Sequence, residues 1–411
     1  MLYITIEALV KIAVLIAGVM GAAAYLVLVE RWMAAWVQDR LGPNRVGVPL
    51  TKIRLFGLGQ PIADGGKLFF KAEYTPGHVD KIAYILAPLV VFVFALVAFA
   101  IVPFGSILPP AWLASWGIKE PIHFIVAPGV DAALIYFLVV GGVAVIGVVL
   151  GGWASNNKYS LFGSLRSAAQ LLSYELPLGL ALLGVALIGG SLRLDRLILA
   201  QAEAGVWNVF VQPLGFVVFC VAAFAEATRL PFDLPESEQE LVGGYHTEYF
   251  GVKLMLFLVS EYLHMIAAAF LMVILFLGGW HFWGLTGSGE AVPWYLALLR
   301  LIVLVGKVGA VILFFMLVRW TWLRFRYDQL MGLGWKVMIP LGVINLLATA
   351  VWLEFGREAA LRWGWPPALS MAVWGWLTFF VSAAVFLLWD PIAEDNRPLR
   401  GNSLSMNKLG C

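Results

Sequence analysis

The chain is short of charge. Only 13% of its 411 residues are Asp, Glu, Lys or Arg, against 62% hydrophobic, and soluble domains carry about 25% charged residues. So few charges cannot clothe a water-facing globule of this size. That excludes an ordinary soluble enzyme and a disordered chain. The net charge is +2, so no global field gathers a polyanion, and nucleic acid is excluded as a partner. Cysteine is scarcer still: Cys220 and Cys411 are the only two. They make neither a disulfide framework nor a metal cluster, and the four thiolates of an iron–sulfur centre are missing. The opening residues Met1-Leu2-Tyr3-Ile4 lack the basic region and small-residue cleavage site of a removable signal. No fixed-period repeat and no inverted halves of the transporter kind are visible.

What the sequence has is long apolar runs. A membrane span needs about 20 apolar residues, and roughly nine candidates are present: 9–29, 82–102, 130–151, 171–190, 206–225, 254–279, 294–318, 337–353 and 369–389. The expected fold class is therefore all-α, a polytopic membrane protein of about nine transmembrane helices in a single integral domain over 1–411. Pro88, Pro177, Pro213 and Pro340 lie in or near spans, where they kink a helix or break its ladder. Lys and Arg in the connections set orientation. With the N-terminus outside, the inner connections hold 19 of them and the outer ones 5. Trp280, Trp283 and Trp294 suit interfacial anchoring. Dense polar sequence is confined to the inner side: 30–81, 152–170, the acidic loop 226–253, the basic segment 319–336 and the tail 390–411.

Within 30–81, Pro61 suits the first turn of a helix. Ile62, Gly66, Phe69 and Phe70 then share one face, and Gln60, Asp64, Lys67 and Lys71 the other. This is an in-plane amphipathic helix, either a plain anchor or one wall of an opening for an amphiphilic ligand. The stretch Gly152-Trp153-Ala154-Ser155-Asn156-Asn157-Lys158-Tyr159 leads past Arg166 to Glu175 at the start of an apolar run. Glu261, with His264 three residues on, lies inside another run, and Lys307 inside a third. Intramembrane ionisable groups cost about 2.5–3.5 kcal/mol each unless paired or watered, and mark an ion pathway by default.

The segment 226–248 holds six acids in 23 residues: Glu226, Asp233, Glu236, Glu238, Glu240 and Glu248. Arg229 and His246 are the local partners on offer. Such crowding is either a solvated loop or a coupled proton-holding set, and the interleaved aromatics and prolines argue for packing. No HExxH-type metal spacing is present. In the basic segment, Arg324 and Asp328 at i,i+4 are placed to pair on one helical face, while Arg319 or Arg326 can meet the acidic segment instead.

Four motifs in order, QDRLGPNRVG from Gln38, GWASNNKYSLFG from Gly152, RLPFDLPESEQELVGGYHTEY from Arg229 and RFRYDQLMGLGWK from Arg324, resemble the quinone-tunnel membrane subunit of proton-pumping NADH–quinone oxidoreductase, respiratory complex I. The resemblance runs from Glu30 to about Pro340. It implies a subunit of a bacterial inner-membrane enzyme that binds no cofactor of its own and takes quinone as substrate. NADH, FMN and iron–sulfur clusters then belong to partner subunits. Those partners are peripheral-arm subunits at the quinone site, one bearing the terminal cluster, and small and antiporter-like membrane subunits.

By that resemblance Glu30, Arg31, Ala63, Asp64, Lys67, Phe224, Glu226 and Arg229 line the quinone entrance and tunnel. Glu175, Asp233, Glu236, Glu238, Glu240, Glu248, Glu261 and His264 form the proton path. Arg40, Arg45, Arg166, Lys307, Arg319, Arg324 and Arg326 are supporting cations. The chain departs from the family pattern at Trp32, Ile146 and Leu323. A homologous component of a membrane-bound hydrogenase-type complex, or a stand-alone secondary transporter, are the rival readings.

Overall fold

Backbone groups in hydrocarbon must find their hydrogen bonds within their own segment, so an apolar chain of this kind folds as helices. The computed structural model describes residues 2–47, 56–107, 123–234, 242–287 and 292–389, with no strand among them. The main helices are α1 (Leu2–Val37), α2 (Gln60–Phe70), α3 (Lys81–Val97), α4 (Ala133–Ala154), α5 (Lys158–Gly189), α6 (Leu194–Ala204), α7 (Pro213–Glu226), α8 (Gly251–Phe276) and α9 (Trp294–Thr321). They are followed by α10 (Tyr327–Arg362) and α11 (Pro367–Trp389). Eight are long and apolar enough to cross a membrane. The ninth candidate, 206–225, is a one-turn helix Asn208–Val211 followed by the 14-residue α7. At about 1.5 Å per residue α7 spans roughly 21 Å, against about 30 Å of hydrocarbon. Gln212 is non-helical and Pro213 has no N–H to continue a ladder, so the helix restarts there. Pro88 and Pro177, by contrast, sit inside helices that run through them.

The core sits around α8. Its most apolar stretch is 83% buried, against 17% for α1 and 11% for α11. A helix apolar all round belongs in the interior, and α1, α3, α7 and α9 close over it. Phe270 takes Phe99 and Phe104 edge-on, and Phe276 packs on Phe216 and Phe219.

Sequence motifs explain the corners. Asp80 Oδ1 accepts from the backbone N–H of Ile82 and Ala83 and caps α3. Asn156 takes a left-handed φ of 49°, and Asn157 Oδ1 caps α5 by accepting from Tyr159 N–H at 3.0 Å. Gly152 is obligatory beside that turn, since a Cβ there would lie 2.4 Å from Ser164 Cβ and 2.6 Å from the Ser160 carbonyl. The described parts of the acid and amphipathic connections (38–47, 56–80, 155–157, 227–234, 242–250, 322–326) fall at one end of the bundle, the α2 end. Those at 102–107, 123–132, 190–212, 277–287 and 363–366 fall at the other.

Lys307 serves that other end. Its ammonium donates to the carbonyls of Leu277, Gly279 and His281 at 2.6, 3.0 and 2.6 Å, and lies 4.3 Å from the Trp207 ring centre. It ties off the chain leaving α8, where unsatisfied carbonyls favour a cation, at the end of the bundle away from the acidic cavity. Replacing Lys307 by Met strands three carbonyls and is expected to destabilise the fold by about 1.5–3 kcal/mol. A lowered unfolding temperature of the detergent-purified protein, without change in the residues at the α2 end, checks this.

Candidate functional site

Near the α2 end, four ionised side chains from distant parts of the sequence meet. Glu30 lies late in α1, Arg229 just beyond α7, Glu261 on α8 and Arg319 near the end of α9. Arg229 places Nη1 3.7 Å from Glu30 Oε1 and Nη2 3.7 Å from Glu261 Oε2. Arg319 Nη1 donates to the same Glu30 oxygen, and Tyr262 donates its hydroxyl to Glu30 Oε2 at 2.6 Å. The Arg229 guanidinium also stands 4.4 Å over the Tyr262 ring. Glu30 and Glu261 are 8% exposed and Arg229 9%. Among the described residues two carboxyl groups face two guanidiniums here, and such pairing lowers the cost of burying charge.

Glu261 leads inward. Its Oε1 accepts from the Tyr245 hydroxyl at 2.9 Å, and it opens on a small cavity of about 50 Å³ between α3, α4, α5, α8 and the end of α7. Glu175, Glu226, Glu261 and His264 all face this space, with Tyr245 and Ser260. Two glycines make room for the acids. A Cβ on Gly141 would stand 3.3 Å from Glu226 Oε1, and one on Gly142 3.3 Å from Glu175 Oε1. Glu226 Oε2 is buried without a hydrogen-bond partner.

The remaining expected residues fall into groups. Arg31 donates to Asp64 Oδ2 at 2.6 Å and Gln60 to Asp64 Oδ1 at 2.9 Å, which ties α2 to α1. Ala63 and Lys67 are exposed on α2, as are Arg40 and Arg45 beyond α1. Phe224 is buried 4.1 Å from the Phe315 ring, in the core and not on an open channel. Glu248 accepts from Asn157 Nδ2 at 2.7 Å, apart from the cavity. Arg166 stacks over Tyr327.

Arg324 does not pair with Asp328. The helix begins only at Tyr327, so Arg324 lies before it and donates to the Asp233 carbonyl, and Arg326 takes Asp328 at 3.0 Å. Arg319 meets Glu30 and not the acidic loop. Glu236, Glu238 and Glu240 lie outside the described residues. The acids of 226–248 that are described diverge: Glu226 enters the cavity, Glu248 turns to Asn157, and Asp233 offers its carbonyl to Arg324. Among the described residues no three His, Cys, Asp or Glu group as metal ligands.

Sequence reasoning missed Tyr245, Tyr262 and Gln170, whose amide nitrogen donates to the Ala225 and Phe232 carbonyls. Tyr262 follows Glu261 directly, the one signal available. It also missed Gly141 and Gly142, which read as ordinary span residues.

The geometry can be set beside known proteins. The family model for NADH dehydrogenase matches residues 10–350. The chain belongs to that family. In Geobacter metallireducens, the first of the H subunits named for NADH-quinone oxidoreductase is 44% identical over 344 residues, 83% of this chain and 94% of the relative. The H subunit of the same enzyme in Flavobacterium psychrophilum is 42% identical over 353 residues, 85% of this chain and 97% of the relative. That of Bacillus cereus is 41% identical over 337 residues, 82% and 91%. Membership of the NADH dehydrogenase family makes the chain a multi-pass membrane subunit of an enzyme complex whose other subunits are its partners. The family match stops short of α11.

The Arg31–Asp64 pair and the Arg229 pairs differ in environment. Arg31 and Asp64 side chains are 46% and 33% exposed, and such surface pairs contribute about 0–1 kcal/mol. Removing one partner of a buried pair costs about 3–5 kcal/mol. Arg229→Gln is therefore expected to lower the stability of the subunit severalfold more than Arg31→Gln, as read by thermal unfolding of the purified complex.

Proposed function

We propose that this chain forms the quinone access path of the complex and part of the quinone site, and that it couples quinone reduction to proton translocation through its buried carboxylates. The observation that carries the reading is the convergence of Glu175, Glu226, Glu261 and His264 on one cavity. That cavity is one tyrosine hydroxyl and one guanidinium away from Glu30 at the α2 end.

The apolar face of α2 supports an opening at headgroup level. Ile62, Phe69 and Phe70 are 73%, 64% and 93% exposed, as a helix resting in the interface requires. Glu30, Arg31, Ala63, Asp64 and Lys67 border that opening, and Arg229 stands behind it. Electrons come from a partner subunit's terminal iron–sulfur cluster, and NADH and FMN are bound elsewhere in the peripheral arm. Charge appearing on the quinone head acts on the Glu30–Arg229–Glu261 group. At 4 Å and an effective dielectric of about 20, one unit charge changes another's energy by roughly 4 kcal/mol, equivalent to about three pK units. A change of that size redistributes protons among Glu261, Glu226 and Glu175, and onward to antiporter-like subunits. Asp233 and Glu248 extend the acidic border at the α2 end, and Glu236, Glu238 and Glu240 belong to the same acidic segment of the sequence.

Glu175→Gln, Glu226→Gln and Glu261→Gln in native membranes test the coupling. Each is expected to lower NADH:quinone turnover severalfold and to reduce protons moved per electron. Full turnover with full proton translocation in all three would end the proposal. The Lys and Arg asymmetry puts the N-terminus and the 123–129 connection outside a bacterial inner membrane. In a chain with both cysteines replaced by serine, Gly129→Cys is expected to react with an impermeant maleimide from outside, and Asn156→Cys only from inside.

A further inference from the structure

Away from the α2 end a second cavity, of about 310 Å³, opens among the connection after α3, the start of α6 and the first turns of α9. Arg300 lines it and is 1% exposed, the largest side chain so fully buried. Its Nε donates to the Thr286 carbonyl at 2.9 Å and its Nη2 to the Gly287 carbonyl at 3.0 Å. The third nitrogen, Nη1, is buried with no acceptor, and no carboxylate among the described residues pairs with it. Ser106 Oγ, 4% exposed on the cavity wall, is also without a partner.

A buried guanidinium held by two neutral carbonyls keeps its full positive charge, and an unpaired buried charge is costly. Among the described residues, the other groups facing the space do not cancel it. Asp195 is bound by Arg193, through Nε at 3.1 Å and Nη2 at 2.7 Å. Burial pushes the Asp195 carboxyl up, but the hydrogen bonds from Arg193 and the Arg196 backbone outweigh it and leave it below its ordinary value. That acid is ionised and already neutralised. His123 adds a further polar group.

The geometry points to a binding site for a phosphate-type oxyanion, held by Arg300 Nη1, Ser106 Oγ and the His123 ring. A guanidinium fork suits phosphate oxygens. Phe124, Leu199 and Trp280 form an apolar side of the same cavity. Trp283 and Trp294 nearby in sequence are 44% and 47% exposed, as in an aromatic girdle at the headgroup level. The oxyanion can thus come from a phospholipid headgroup or from free phosphate. The site does not touch the acidic cavity and goes beyond the function proposed above.

The test uses the intact, delipidated complex in detergent, carrying wild-type, Arg300→Gln or Ser106→Asp chains. Arg300→Gln also loses the brace to Thr286 and Gly287. Ser106→Asp keeps that brace and adds a negative charge to the cavity, so it separates binding from folding. Dihexanoyl phosphatidylglycerol and, separately, sodium phosphate are titrated while the unfolding temperature is followed. Half-saturation by the lipid is expected to rise at least tenfold in Ser106→Asp. If only inorganic phosphate shows that difference, the site takes a free oxyanion and the assignment of chemistry stands. If neither probe distinguishes Ser106→Asp from wild type, the assignment is overturned.

Discussion

The rest of the α2 end depends on Arg229 standing between Glu30 and Glu261. Each acid comes from a different helix, and each is too deep to be hydrated by bulk water. Withdrawing the guanidinium would strip both buried acids of the cation they share, a loss far larger than any surface pair supplies. The position of the segment after α7 is therefore locked to α1 and α8, and through Arg319 to α9. Tyr262 completes the arrangement by donating to Glu30 while offering its ring to Arg229. Nothing in this group can shift without disturbing the hydrogen bond that Tyr245 makes to Glu261 on the cavity side.

The two ends of the bundle solve the problem of buried charge differently. At the α2 end, guanidiniums are matched by carboxylates. At the other, Lys307 and Arg300 are received by backbone carbonyls left over where helices stop. The first solution produces a set of groups that respond to one another's charge. The second fixes chain termini through acceptors that have no proton of their own to exchange. Lys307 looked like a member of the first class because apolar neighbours in sequence do not reveal which carbonyls lie across the bundle.

Much of the fold was legible in the sequence because membrane spans and amphipathic helices are local patterns. Eight of the nine apolar runs became long helices, and the helix from Gln60 formed where Pro61 and the alternation of faces placed it. The Glu175, Glu226, Glu261 and His264 set also stood out, since an ionisable residue in an apolar run is visible without a structure. What was hidden was pairing. Tyr262 reaches Glu30 across 232 positions and Arg319 reaches it across 289, separations that no spacing rule covers. Arg324 and Asp328 illustrate the converse failure. Their i,i+4 interval has meaning only inside a helix, and the helix starts between them. Phe224 was placed on the tunnel by resemblance alone, and no residue pattern foretold that its ring packs on Phe315.

Gly141 and Gly142 give α4 a bare stripe where Glu226 and Glu175 rest. Because the two niches are adjacent on one helix, a screw shift of α4 by two residues would present a side chain to both acids at once. Hydration of the pair is thereby governed by one rigid rod and not by either glutamate's own backbone, so a mechanical displacement of α4 acts on both sites in the same stroke.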